Sequence, residues 1–122
     1  KNGGYLIIQK TEAMTVIDVN SGKGSEKKGN SKEDMVYAMN CEAAAEIARQ
    51  LRLRNHSGII VVDFINMEED QHKQQLLTQF DRFLKEDKLP SRVVDLTPLG
   101  IVEVTRKKIN KPLKEMLDNI EI

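Results

Sequence analysis

At 122 residues the chain has the usual size of one compact domain, and two independent cores are not expected. Nineteen Lys and Arg against nineteen Asp and Glu give a formal net charge of zero, which excludes a histone-like protein that holds nucleic acid by bulk charge. A content of 39% hydrophobic and 31% charged residues is too apolar for intrinsic disorder. The longest apolar stretch, Gly58 to Ile65, is short and broken by Asp63, so no bilayer span is expected.

Tyr5-Leu6-Ile7-Ile8-Gln9 and Met14-Thr15-Val16-Ile17-Asp18-Val19 are β-branched-rich runs parted by Lys10-Thr11-Glu12-Ala13, the pattern of a β-hairpin. Residues 21–32 hold Gly, Ser, Lys and Asn without a hydrophobic side chain. They bury nothing to offset the entropy of ordering, so a mobile loop is expected there. Ser31 with Asp34 resembles a capping box. Val36, Asn40, Ala43, Ile47 and Leu51 then follow at helical spacing, and Arg52 and Arg54 suit the C-terminal dipole. After the turn Asn55-His56-Ser57, the continuous run Gly58 to Phe64 has the pattern of a strand covered on both faces. A second amphipathic helix is predicted over about Glu68 to Lys88, with Leu76, Leu77, Phe80, Phe83 and Leu84 on its apolar stripe. Arg92–Leu96 and Gly100–Thr105 are two further strands, and a short helix follows Pro112. The order ββαβαββα predicts an α/β sandwich.

Two acids stand out. Asp18 and Asp63 each close an apolar strand, and ligands of open α/β sheets gather at strand ends. A helix and its loops lie between them, which is what brings a later strand beside an earlier one. Two carboxylates brought together repel unless a cation sits between them, and Mg²⁺ takes oxygen ligands while leaving positions for water and phosphate. Asn20, two residues after Asp18, faces the same side of an extended chain, where its amide can orient the Asp18 carboxylate. A strand-end Asp is also an ordinary turn or cap residue, so on spacing alone both readings stay open.

The remaining candidates carry less. Gly22-Lys23-Gly24-Ser25 lacks the glycine and the Ser or Thr that a phosphate loop requires. His56 and His72 have no metal-ligand spacing and are expected at the surface. Glu68-Glu69-Asp70 suits a helix start, and Cys41 suits packing. A single cysteine forms no internal disulfide, and a reducing compartment is expected. The chain opens Lys-Asn-Gly-Gly without Met and closes Asn-Ile-Glu-Ile, as a domain excised from a longer protein would.

Four segments, in order, resemble the ribonuclease E/G family. They are Gly3–Ile8 with Thr11–Gly22, Asn40–Arg54, Gly58–Met67 and Leu99–Arg106. The resemblance implies a DNase I-like catalytic subdomain of a bacterial, cytoplasmic endoribonuclease, spanning 1–122. Its substrate would be single-stranded RNA, often A/U-rich, in RNA processing and mRNA decay. It further implies that Asp18 and Asp63 hold a catalytic Mg²⁺, for which Mn²⁺ can substitute, and that Asn20 orients Asp18. Nearby basic residues, Arg106 and Lys107, are expected to position the RNA backbone. Family members dimerise through this region, so a homo-oligomer is expected of the full-length protein. Asn66 stands where the family has a second Asp, and Pro98 where many members carry Arg. The family's S1 and 5′-end-sensing segments and its Cys-Pro-x-Cys zinc link have no counterpart here. The rival expectation is therefore a structural, dimerising module that is inactive alone. A phospho-accepting signalling domain would need an acidic neighbour for Asp18, which the sequence lacks.

Overall fold

A computed structural model of the chain describes residues 3–22, 29–87, 89, 91–97 and 100–107. The hairpin forms as expected: β1 (Tyr5–Lys10) and β2 (Met14–Asn20) pair antiparallel from Tyr5 opposite Asn20 to Lys10 opposite Thr15. Thr11 closes the turn. Its Oγ1 accepts the N–H groups of Ala13 and Met14 at 3.3 and 3.1 Å and donates to the Met14 carbonyl at 3.0 Å.

Helix α1 (Gly29–Leu53) leads from β2 to β3 (Gly58–Asp63), which lies parallel to β2 with Asp18 directly opposite Asp63. Val36, Met39, Ala43, Ile47 and Leu51 form its buried stripe. At its C-terminus Asn55 takes the left-handed conformation (φ 54°), and the His56 N–H reaches back to the Leu51 carbonyl at 3.2 Å, a Schellman-type closure. Helix α2 (Asp70–Lys85) buries Leu76, Phe80 and Leu84, and Phe80 meets Phe64 edge-on at 5.5 Å. Strands β4 (Ser91–Leu96) and β5 (Ile101–Arg106) complete a five-stranded mixed sheet of order β1-β2-β3-β5-β4. Both helices pack on one face, over Ile17, Val19, Ile60, Val62, Val102 and Val104. The architecture is thus the expected α/β layering.

Three local expectations change. Residues 29–32 belong to α1, so Ser31 lies inside the helix and is no cap. The helix extends into polar sequence because each added residue gains a backbone bond once a turn exists. Among the described residues, strand β3 is covered on one face only: Ile60 and Val62 are fully buried, whereas Ile59 is 50% exposed. A run of apolar residues does not say how many faces are covered, since both helices fall on the same side. Finally, α2 starts at Asp70 with no side-chain cap from Glu69. The N–H groups of Glu68 and Glu69 donate instead to Glu33 of α1 at 3.1 and 3.4 Å. Residues 23–28 of the expected loop and the helix after Pro112 lie outside the described residues. Among the described residues, no helix is long and apolar enough to cross a membrane.

Candidate active site

In β2 the buried residues are Thr15, Ile17 and Val19, so alternation turns Met14, Val16, Asp18 and Asn20 to the face opposite α1 and α2, which carries no helix among the described residues. In β3 the buried pair Ile60 and Val62 turns Ile59, Val61 and Asp63 to that same face. Asp18 and Asp63 are register partners, and neighbouring strands lie about 4.8 Å apart. The two carboxylates therefore stand side by side at the C-terminal end of the parallel strands. Among the described residues neither has a hydrogen bond or an ion pair. Two adjacent acids with free oxygens, at a strand end open to solvent, fit the donor set of a hard divalent cation.

Their surroundings are mixed. Ile7 faces Asp18 across β1, and Tyr5 faces Asn20. Both are exposed, at 43% and 54%, so a partly apolar strip edges the acidic pair. On the other side Ile101 faces Asp63. Beyond Asp63 a cavity of about 190 Å³ opens toward α2, lined in part by Asn66, Thr97, Leu77 and Lys73. Lys73 of α2, which sequence reasoning missed, lines the same cavity as Asp63; its ammonium lies 3.7 Å from Asp70. Asn20 shares its side with Asp18, but no hydrogen bond joins them. Its Nδ2 is buried without a partner among the described residues. An unpaired buried amide costs about 1–3 kcal/mol, so Asn20 has a donor to offer an incoming oxygen.

The basic pair Arg106 and Lys107 does not join this site. Arg106 is register partner to Gly58, at the end of β3 opposite Asp63, five residues or roughly 17 Å along the strand. Alternation turns its side chain to the helix-covered face, where it is 3% exposed. Its Nε donates to Asp87 at 2.6 Å, and Nη1 donates to Asn55 Oδ1 and the His56 carbonyl at 3.0 and 2.8 Å. Burial by itself would raise the Asp87 carboxyl, but the bonds from Arg106 and the Leu89 N–H outweigh it and hold the group below the usual carboxylate range. Arg106 is a structural ion pair. Lys107 is exposed at the same far end.

Of the two histidines expected at the surface, His56 is buried and His72 is partly exposed. His56 is 7% exposed, with neither ring nitrogen partnered among the described residues; burial, then Lys10, Arg54 and Arg106, lower its pKa. His72 stacks on Tyr37 at 4.4 Å and lies 2.7 Å from Glu33 and 3.6 Å from Glu69. The bond to Glu33 raises His72, and the same bond lowers Glu33. Glu33, Glu69 and His72 offer ligand atoms within 4.8 Å of one another, close enough for a divalent ion. Glu33 is already engaged, however, joining α1 to the start of α2 through His72 and two backbone N–H groups. Cys41 sits half-buried against the core, and burial raises its thiol.

The sequence profile of the Ribonuclease E/G family matches residues 1–109. The chain is 50% identical over 115 residues to Ribonuclease E of Nostoc sp., covering 94% of this chain and 16% of that protein. It is 45% identical over 117 residues to the Ribonuclease E/G-like protein of Porphyra purpurea, covering 96% and 22%. Over 119 residues it is 41% identical to Ribonuclease G of Escherichia coli strain K12, covering 98% and 24%. The chain thus spans about a sixth to a quarter of the length of these relatives.

Proposed function

Because the chain belongs to the ribonuclease E/G family, we propose that it is the metal-dependent catalytic module of an endoribonuclease that hydrolyses single-stranded RNA. The observation that carries this reading is the in-register pair Asp18 and Asp63 on the open face of the sheet, inside a family of ribonucleases. Asp18 and Asp63 would hold Mg²⁺, with Mn²⁺ as a substitute. When bound, that ion supplies a more acidic water and neutralises charge developing at the scissile phosphate. The residues of the chain do the rest. The two carboxylates approach from one face and leave the solvent side open to RNA. Asn20 offers its unpartnered Nδ2 to the Asp18 carboxylate or to a phosphate oxygen. Lys73, which lines the cavity that Asp63 also borders, would meet the phosphate backbone of RNA entering that cavity, a role expected from sequence of Arg106 and Lys107. Tyr5 and Ile7 offer bases an apolar flank. Hydrolysis in this arrangement leaves a 5′-phosphate and a 3′-hydroxyl, and the setting is RNA processing and mRNA decay in the cytoplasm.

The test is cleavage of an A/U-rich single-stranded RNA by this chain with Mg²⁺, against Asp18→Asn, Asp63→Asn and a chelator. Cleavage lost in all three controls, with folds intact by circular dichroism, is the expected result. Mg²⁺-dependent turnover by either variant at the wild-type rate refutes the site. A second reading rests on the short span of the chain relative to its relatives: a dimerising module with little substrate grip. Metal binding without cleavage at high protein concentration, together with a dimer by sedimentation, would favour it.

A further inference from the structure

Strand β3 loses its ladder at Asp63. Its last pairings are with Asp18 on one side and with Ile101, where β5 begins, on the other. The chain nevertheless leaves Asp63 in a defined direction. Phe64 turns inward, 7% exposed, against Phe80. The next residue is gripped from the helix layer: the Ile65 N–H donates to Asn40 Oδ1 at 3.0 Å, and Asn40 Nδ2 donates to the Ile65 carbonyl at 2.9 Å. Asn40 itself is fully buried on the apolar stripe of α1. Its carboxamide presents one acceptor and one donor to a single residue, as the peptide groups of a neighbouring strand would.

We propose that Asn40 is a positioning residue for the metal site: it replaces the missing ladder after Asp63 and so holds the Asp63 carboxylate beside Asp18. The proposal rests on the metal reading of Asp18 and Asp63 given above. Mg²⁺ and Mn²⁺ need their oxygen ligands placed to a few tenths of an ångström, and Asp63 is the last residue that the sheet constrains. Without Asn40, the Ile65 N–H and carbonyl lose their partners, and the first two residues after Asp63 are held by side-chain packing of Phe64 and Ile65 with no backbone hydrogen bond from Ile65. Other residues that orient a metal ligand from behind typically change metal affinity by about 10–100-fold when removed.

The experiment is Mn²⁺ titration of this chain, followed by paramagnetic broadening of the amide resonances of residues 16–20 and 60–65. The variants are Asn40→Ala, Asp18→Asn, Asp63→Asn and, as a stability control, Asn55→Ala at the far end of the sheet. Wild type and Asn55→Ala are expected to bind alike, both Asp variants to lose the site, and Asn40→Ala to bind at least 10-fold more weakly with faster amide exchange at Ile65. Asn40→Ala binding within threefold of wild type, while the Asp variants lose the metal, overturns the positioning role and leaves the metal reading standing. Asp variants that bind as wild type does overturn the metal reading and the proposal with it. If Asn40→Ala does not fold, Asn40→Asp, which keeps the volume and loses the amide donor, is held to the same criterion.

Discussion

Replacing Arg106 by Met keeps most of the side-chain volume and removes all of its charge. The cost follows from what stays behind: Asp87, whose side chain is 7% exposed, loses its counter-ion, and Asn55 Oδ1 and the His56 carbonyl lose a donor. Removing one member of a buried ion pair costs about 3–5 kcal/mol, chiefly the penalty for the stranded charge. For a domain of this length roughly 4 °C of Tm corresponds to each kcal/mol, so a fall of about 12–20 °C is expected. The assay is thermal and urea unfolding of wild type, Arg106→Met, Asp87→Leu and the double variant. The double variant strands no charge and is expected to recover at least about 1 kcal/mol relative to Arg106→Met. There is also a pH signature. Asp87 titrates below its unfolded value in the native chain, so its contribution is present above about pH 4 and is lost as pH falls toward the folded value. Arg106→Met should flatten that acid limb. A cost under about 1 kcal/mol, or a double variant as unstable as the two single losses added, refutes the structural assignment of Arg106.

Two further predictions concern the ends of the helices and the hairpin. A Cβ on Gly22 (φ +61°) would strike the Gly3 carbonyl oxygen, whereas one on Gly3 (φ +85°) meets nothing within 4 Å. Gly22→Ala should therefore cost about 2 kcal/mol or more by urea unfolding, and Gly3→Ala only the left-handed strain of about 1 kcal/mol; equal costs would refute the close approach. The Glu33–His72 pair should make stability pH-dependent. His72 is raised, so its contribution is complete below its unfolded value of 6.5 and is lost as pH rises through the folded value. Glu33 is lowered, so its share is present above its unfolded value of 4.5 and lost as pH falls. The gap in urea midpoint between wild type and Glu33→Gln should be widest near pH 5.5 and shrink toward pH 8.5. A gap that grows over that range contradicts the ion pair.

Much of this molecule is legible locally. Alternating and helical spacings are consequences of backbone geometry, and they yield the hairpin, both helices and the strands to within a few residues. The acidic pair was also legible, because an Asp ending an apolar run marks a strand end whatever the rest of the chain does. Asn40 was visible only as a polar residue at an apolar position of α1, a signal that a buried amide has a partner somewhere without saying where.

What the sequence determined by itself is the element order and the residue types available at each strand end, since these depend on neighbours a few positions away. The tertiary structure alone decided three things. Register set Asp18 directly beside Asp63. Alternation in β5, counted from that register, turned Arg106 inward to Asp87 while its neighbour Lys107 stayed in water. The packing of both helices on one face left the acidic pair open and carried Asn40 of α1 to the backbone of Ile65. Each is a contact between residues distant in the chain, whose energy depends on which face of the sheet the helices cover, and no local preference encodes that choice.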